Sequence, residues 1–149
     1  CCAAFSYGYY YQQLKAPTDT TTLPRDTTFY INYIGRLLNG QVFDTTVEDT
    51  AKFYGIYSSS KTYEPKMVKL KESYKEITLG GTSTSDGSTT INGFSYCLSK
   101  MKAYEKGVCA FYSNLGYGYS GSGKAIPAYA PLSFEIEIVV VSVGAFSCW

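Results

Sequence analysis

Histidine is absent from this 149-residue sequence. Its absence excludes Ser-His-Asp triads, the usual catalytic zinc sites and every proton shuttle that depends on an imidazole ring. An enzyme with this sequence must use other groups, or must act without transferring a proton. We therefore expect neither a metal nor a cofactor.

An excess of one charge sign is also missing. The chain has 13 Lys and Arg residues against 12 Asp and Glu residues, for a net charge of +1. Such a balance gives little long-range attraction for nucleic acid or for anionic lipid. No apolar run reaches the about 18 residues that a helix needs to cross a bilayer. The sequence predicts no nucleic-acid partner, and contact with a membrane only through a lipid anchor at Cys1.

The five cysteines contain no C-x-x-C pair, so neither a zinc ribbon nor a thioredoxin-type site is expected. Their odd number argues against a fully paired disulfide framework, and Cys109, in a strand-like run, is predicted to be a buried thiol. The leading Cys1 has two interpretations. A bacterial lipoprotein begins with a lipid-bearing cysteine once its signal peptide is removed, which would place the protein in the cell envelope, in the periplasm or at the outer membrane. Alternatively, the sequence simply starts at an arbitrary point.

Tyrosine, in contrast, is abundant, with 16 Tyr and 8 Phe residues bringing the aromatic fraction to 17%. An apolar ring with a polar tip suits strands, pocket walls and wet binding surfaces. The chain length suits one domain with a tail. Residues 1–24 are predicted to be an N-terminal tether, and residues 25–149 to form the domain. The tyrosines at positions 7 and 9–11 fit either a helix face or a docking strip.

Two segments have the period of two that is typical of strands. In the first, Phe29, Ile31 and Tyr33 alternate with their neighbours, and Asn39-Gly40 then predicts a tight turn into a partner strand over residues 41–45. In the last, apolar side chains predicted to share one face alternate with Ser133, Glu135 and Glu137. These apolar residues are Leu132, Phe134, Ile136, Ile138 and Val140.

The intervening chain predicts further strands and one helix. The i, i+3, i+4, i+7 spacing of Phe94, Cys97, Leu98 and Met101 is typical of a short amphipathic helix. Strands are expected near residues 67–70, 74–79 and 108–113, and loops over residues 80–90 and 115–123. We therefore predict an α+β fold in which an antiparallel β-sheet half-barrel curls around one short α-helix.

Five motifs then appear in a familiar order. They are Asn32 to Thr46, with Tyr-x-Gly and Phe-Asp-Thr-Thr around the turn; Ile91-Asn92-Gly93-Phe94; Met101 to Gly107; Leu115-Gly116-Tyr117-Gly118; and Ile126 to Ile138. Together they resemble the FK506-binding type of peptidyl-prolyl cis-trans isomerase over roughly residues 27–141. The stretch at about 47–74 is longer than in the smallest members of that family and is interpreted as an insertion.

This resemblance implies a shallow apolar pocket between sheet and helix that binds proline-containing polypeptides, and FK506-like macrolides more weakly. In the catalytic set, Asp44 would lie at the pocket edge, Tyr33 would line the wall, and the Ile91 N–H and Tyr117 hydroxyl would hold substrate carbonyls. The substrate-binding set implied by the resemblance is Phe43, Phe94, Ile126 and Phe134. Without the motifs, Phe43, Ile126 and Phe134 would be read as ordinary core residues, and Tyr117 equally well as a packed loop anchor.

Several positions depart from the family pattern. Phe94 stands where Trp is usual, Thr90 replaces an apolar residue, and Tyr104 replaces a turn glycine. Lys75 falls near a usually aromatic position, and Ser122 near one often held by a larger side chain.

Bond rotation at proline needs no covalent step and no proton transfer, so a sequence without histidine is compatible with it. We accordingly expect a peptidyl-prolyl isomerase that acts on folding client proteins. Two alternatives are a binding or chaperone module on the same barrel with weak or no isomerase activity, and a surface-tethered interaction domain that works through its Tyr-rich tail.

Overall fold

The computed structural model describes residues 4–6, 9–18, 28–70, 77–82, 85 and 87–142. Within these ranges the chain forms nine strands, two α-helices and one 3-10 turn. The strands are β1 (Ala4–Ser6), β2 (Tyr9–Lys15), β3 (Thr28–Leu37), β4 (Val42–Thr45), β5 (Lys66–Lys69), β6 (Thr78–Leu79), β7 (Ser88–Thr89), β8 (Lys106–Phe111) and β9 (Leu132–Ser142). The helices are α1 (Glu48–Phe53) and α2 (Asn92–Lys100), and the 3-10 turn is Ser113–Leu115.

All strands belong to one antiparallel sheet in the order β1-β2-β8-β9-β3-β5-β6-β7, with β4 paired to β3. β3 and β9 form the central pair, with a register that runs from Thr28 opposite Ser142 to Leu37 opposite Leu132. The apolar faces of the sheet and of α2 are buried against each other in one core. This arrangement confirms the predicted α+β fold with its sheet around one main helix.

The predicted hairpin is formed by β3 and β4. Phe29, Ile31 and Tyr33 are buried on the inner face of β3, as their alternation predicted. At the turn, the Gly40 N–H donates to the Leu37 carbonyl at 2.9 Å, and Gly40 has φ of 90°. Glycine adopts this positive φ without the steric cost that a Cβ brings, so the Asn39-Gly40 turn is well matched to its sequence.

The alternation of β9 holds only as far as Ile138. Leu132, Phe134, Ile136 and Ile138 are buried, whereas Val140 is 47% exposed. Tyr30 pairs with Val140 and Ile31 pairs with Ile138, so one residue of β9 is unmatched between them. Such a β-bulge reverses which side chains face the core. The prediction that Val140 shares the inner face was therefore wrong, and Val141 packs against the core instead.

Helix α2 confirms the predicted helix, because Phe94, Cys97, Leu98 and Met101 are all buried. It begins after Ile91, whose backbone is extended with φ of −62° and ψ of 151°. Gly93 lets the first turn lie close to the sheet, since a Cβ there would be 2.6 Å from the Phe111 ring. The helix thus rests tightly on β8 at its N-terminal end. Cys97 and Cys109 are buried free thiols, as expected for Cys109.

Part of the predicted tether lies in the sheet. β2 pairs with β8, from Tyr9 opposite Phe111 to Lys15 opposite Lys106, so the tyrosines at positions 9–11 lie on a strand, and the helix-face interpretation was wrong. Tyr9 is buried in the core, and the Tyr11 hydroxyl donates to the buried carboxylate of Glu105. Contacts this distant in sequence give little local signal, which is why the strand was not predicted. Tyr7 and residues 19–27 lie outside the described residues.

The middle of the chain was predicted only in part. β5 confirms a strand near residues 67–70, and the Val108 to Ser113 prediction corresponds to β8. Residues 71–76, including Lys75, lie outside the described residues, while β6 covers the end of the predicted 74–79 strand. The predicted loop over residues 80–90 contains β7, which is only two residues long and pairs with β6. In the described ranges, no helix combines the length and hydropathy required to span a bilayer.

Candidate functional site

A cavity of about 290 Å³ opens between the start of α2 and the inner face of the sheet. Its walls combine residues from β3, β4, β6, β7, α2 and β9 with the loop after the 3-10 turn. The lining residues are Tyr33, Phe43, Asp44, Leu79, Ser88, Thr89, Thr90, Ile91, Phe94, Tyr117 and Phe134. All of the predicted site residues except Ile126 are therefore brought together around one hollow.

Phe134 on β9 is the centre of the aromatic wall. Its ring lies 4.9 Å from the Phe94 ring and 5.6 Å from the Phe43 ring, in edge-to-face geometry at 83° and 88°. Tyr33 meets Phe94 in the same way, at 5.6 Å and 80°. Edge-to-face contacts are the favoured arrangement of aromatic quadrupoles. These ring contacts join β3, β4, β9 and α2 into one wall of the cavity.

Gly35 allows two of these rings to lie directly on the strand. A Cβ at this position would come within 2.8 Å of both the Phe134 and the Phe43 ring. Gly35 is in β3, two residues after Tyr33, so both positions face the same side of the sheet. A side chain at position 35 would therefore point into the site. The Tyr-x-Gly motif therefore supplies a wall residue, Tyr33, and leaves room at Gly35 for the Phe134 and Phe43 rings.

Asp44 is held at the cavity rim by two cooperating donors. The Tyr33 hydroxyl donates to Asp44 Oδ2 at 2.7 Å, and the Lys61 ammonium donates to Asp44 Oδ1 at 2.5 Å. Burial, followed by the nearby Asp44 charge, raises the pKa of Tyr33 well above its ordinary value. The Tyr33 hydroxyl therefore keeps its proton and remains a donor through the neutral and mildly alkaline range.

Two further donors border the cavity. The Ile91 N–H has no hydrogen-bond acceptor among the described residues, and its extended backbone precedes the first turn of α2. Tyr117 is 37% exposed, and burial followed by the Asp44 charge raises the pKa of its phenol. Its loop is anchored by Gly118, whose N–H donates to Ser113 and whose carbonyl accepts from Tyr129 at 2.8 Å.

Ile126 lies in the core instead of the cavity wall. It is buried, and paired N–H···O bonds join it to Ser122, at 2.8 Å and 3.1 Å. This bridge closes the loop over residues 122–126 and turns the Ile126 side chain into the core cluster that contains Phe94 and Phe134.

Sequence reasoning missed several lining residues. Leu79, Ser88 and Thr89 reach the cavity from the β6–β7 hairpin, a segment interpreted mostly as loop because it is rich in Gly, Ser and Thr. Lys61 was also missed, since it lies in the predicted insertion, where the family motifs gave no guide. One signal was available, because a carboxylate at an apolar pocket edge is stabilised by a cation or a hydrogen-bond donor beside it.

The chemistry of the site is non-covalent. The cavity is lined mostly by rings and aliphatic groups, with one carboxylate that is already paired. Within the described part of the chain, no group of three His, Cys, Asp or Glu residues is placed to hold a metal ion. The arrangement can bind a small apolar group and donate hydrogen bonds to carbonyls beside it.

Comparison with known proteins agrees with this geometry. Among curated proteins, the chain is 23% identical over 137 residues to "Macrophage infectivity potentiator" of Trypanosoma cruzi, covering 92% of this chain and 55% of that protein. It is also 26% identical over 132 residues to "FK506-binding protein 1A" of Aspergillus fumigatus, covering 88% of this chain and 93% of that protein. The chain thus spans about half the length of the first relative and nearly all of the second.

Solved structures show the same fold. A peptidyl-prolyl cis-trans isomerase from Pseudomonas syringae matches with a TM-score of 0.61 and 23% identity, over 94% of this chain and 80% of that one. The N-terminal domain of FKBP42 from Arabidopsis thaliana matches with a TM-score of 0.63 and 16% identity, over 95% of this chain and 93% of that one. The sequence model of the family described as "FKBP-type peptidyl-prolyl cis-trans isomerase" matches residues 19–139. With both its sequence and its ring-lined cavity in agreement, the chain belongs to the FKBP-type peptidyl-prolyl cis-trans isomerase family.

Proposed function

We propose that the cavity binds the proline ring of a polypeptide and accelerates rotation of the X-Pro peptide bond. The observation that carries this proposal is the hollow of about 290 Å³ enclosed by Tyr33, Phe43, Phe94 and Phe134. Small-molecule pockets start at about 300 Å³, so this volume suits one small ring with the atoms next to it. Rings interlocked without a hollow would have left only a barrel.

The barrier to X-Pro rotation, roughly 18–20 kcal/mol, arises because amide resonance is lost as the bond twists. Planar amides are more polar than twisted ones, so water stabilises the ground state. A ring-lined cavity removes that water from the substrate carbonyl and thereby favours the twisted state. Only interactions stronger in the twisted state than in the planar state accelerate the rotation.

Donors at the rim supply such interactions. The Ile91 N–H is available to a substrate carbonyl, and Tyr117 lines the same cavity with a hydroxyl that can donate to a second one. Asp44 acts differently, because both of its oxygens already accept hydrogen bonds from protein donors. It holds the Tyr33 ring upright against Phe94 and so fixes the shape of the wall. Preorganised dipoles of this kind need no rearrangement during the reaction.

NMR exchange spectroscopy of an Ala-Pro peptide tests the proposal. We expect the protein to accelerate exchange, and expect Tyr117→Phe and Asp44→Ala to reduce kcat/KM by about 10-fold or more, the usual scale for removing a positioned group. Tyr119→Phe is the matched control, because Tyr119 lies in the same loop, is 76% exposed and does not line the cavity. Wild-type rates in both site variants, with the fold intact, would contradict the assigned roles.

A second candidate is a binding or chaperone module with little isomerase activity. It is favoured by Phe94, which forms the cavity floor with a smaller ring than the indole usual in the family, and which offers no N–H donor. Suppression of client aggregation with unchanged X-Pro exchange would support this function over the first. The same smaller floor predicts weak binding of FK506-like macrolides, measurable as ligand-induced shifts of the cavity tyrosine resonances.

The location in a bacterial cell envelope is also a proposal. It depends on a lipid anchor at Cys1, which lies outside the described residues. Expression of the complete gene with a radiolabelled fatty acid, followed by Cys1→Ser substitution, tests it. If the label persists in the Cys1→Ser variant, or if the wild-type protein is never labelled, the hypothesis of a lipid anchor at Cys1 is wrong.

A further inference from the structure

Lys61 pairs with a residue that lines the cavity, and it comes from the segment at about 47–74 that the family motifs do not cover. Its ammonium donates to Asp44 Oδ1 at 2.5 Å and to the Thr45 carbonyl at 3.0 Å. Since Asp44 lines the cavity, the charge of Lys61 lies beside the cavity rim.

The position of Lys61 is fixed by its surroundings. Its ammonium is 5.4 Å from the centre of the Tyr63 ring, and Tyr63 stacks on Tyr57 at 5.4 Å and 16°. The Tyr63 hydroxyl also accepts the Ser58 N–H at 3.0 Å. A carboxylate, a carbonyl and a ring face therefore converge on one ammonium, which immobilises a side chain that would otherwise have considerable rotamer freedom.

This pairing changes the charge that a substrate meets. Asp44 alone would present a negative rim to the residue beside proline, attracting Lys or Arg and repelling Asp or Glu. Lys61 neutralises it, and because the two side chains are only 33% and 39% exposed, water screens the pair incompletely. We propose that Lys61 is a specificity-determining residue that allows the site to accept acidic residues next to proline.

The proposal rests on the proposed isomerase function, and the test separates the two. Three peptides with Glu-Pro, Lys-Pro and Ala-Pro are compared, with affinity measured by NMR titration and rate by exchange spectroscopy. In Lys61→Met, we expect the Glu-Pro to Lys-Pro ratio of kcat/KM to fall by about 10-fold. The kcat/KM of the Glu-Pro peptide should fall and that of the Lys-Pro peptide should rise, each by a few-fold. Lys61→Arg should restore most of the ratio, and salt should reduce the difference.

Lys52→Met is the matched control. Lys52 also lies over a tyrosine ring, 4.9 Å from the centre of Tyr57, but pairs with Glu48 instead of Asp44. It makes the same change in net charge within the same segment, so its ratio should stay at the wild-type value. Loss of packing alone would lower kcat/KM for all three peptides together and leave the ratio unchanged.

Each outcome bears on one of the two proposals. An unchanged ratio in Lys61→Met, or an equal change in Lys52→Met, would overturn the role of Lys61 while leaving the isomerase intact. Absence of exchange for Ala-Pro in the wild-type protein would overturn the isomerase, and the ratio of peptide affinities would still test Lys61. If the wild-type protein bound none of the three peptides, both proposals would be wrong.

Discussion

Substitution of Gly35 by alanine tests whether the aromatic rings form the working wall of the site. The new Cβ would lie 2.8 Å from Phe134 Cε1 and 2.8 Å from Phe43 Cζ. Carbon atoms pack at about 3.5–4.0 Å, so the two rings must together give way by roughly 1 Å. Both rings line the cavity, and Phe134 also holds Phe94, so the displacement is transmitted into the hollow.

Two magnitudes follow from this displacement. Overpacking of a filled site costs about 1–3 kcal/mol of the free energy of unfolding. A misplacement of about 1 Å at a catalytic group can reduce the rate about 100-fold. We therefore expect Gly35→Ala to stay folded, to lose about 1–3 kcal/mol of stability, and to lose between 10- and 100-fold in kcat/KM.

The assay combines urea unfolding with X-Pro exchange measured by NMR. Gly40→Ala is the control, because Gly40 has φ of 90° and a Cβ there would meet nothing within 4 Å. That variant should lose about 1 kcal/mol through backbone strain and keep its rate. Wild-type kcat/KM in folded Gly35→Ala would refute the conclusion that these rings shape the catalytic cavity.

Two other predictions concern stability. Tyr104 has φ of 62° at the third position of a turn closed by the Glu105 N–H and the Lys102 carbonyl, where glycine is favoured. Both Tyr104→Gly and Tyr104→Ala lose the ring, so they differ mainly in the backbone strain at this position. By differential scanning calorimetry we expect the Gly variant to be more stable than the Ala variant by about 1 kcal/mol, or about 2–4 °C in Tm. Equal stabilities would contradict strain at this turn. The second prediction concerns alkaline pH: since the pKa of Tyr33 is higher in the folded than in the unfolded state, the unfolded chain loses this proton first, and stability falls as pH rises above about 10. Tyr33→Phe should remove up to about 1.4 kcal/mol per pH unit from that slope in urea unfolding between pH 9 and 11, whereas an unchanged slope would mean that the Tyr33 hydroxyl is not buried as described.

The core of the fold could be predicted from sequence because its signals are local. Alternation in β3, the Asn39-Gly40 turn and the helical spacing from Phe94 to Met101 each act within a few residues, and each is confirmed. The site residues were predicted through the order of the motifs. The structure shows what the motifs mean physically, since the Tyr33-x-Gly35 pair supplies both a ring and the space beside it.

What sequence could not supply depends on contacts between distant segments. The strand formed by Tyr9–Lys15 is specified by its pairing with β8, about a hundred residues away. The reversal at Val140 arises from a bulge that only the register with β3 reveals. Lys61 contacts Asp44, 17 residues away in the chain, and it lies in a segment without a regular hydrophobic pattern that would predict which side chains face the site.

The hollow itself has a physical explanation in the mixture of close and open contacts around α2. At Gly93 the helix lies directly on the Phe111 ring, which fixes its distance from β8. One residue later, Phe94 meets Phe134 and Tyr33 edge-on, so rings from β9 and β3 pack against the start of the helix. Each ring is stiff and is held by the next, with Tyr33 tied to Asp44 and Phe43 seated on Gly35. Each of these rings contacts a neighbour that helps to fix it, so the order of the wall is built into the fold and a substrate does not have to induce it.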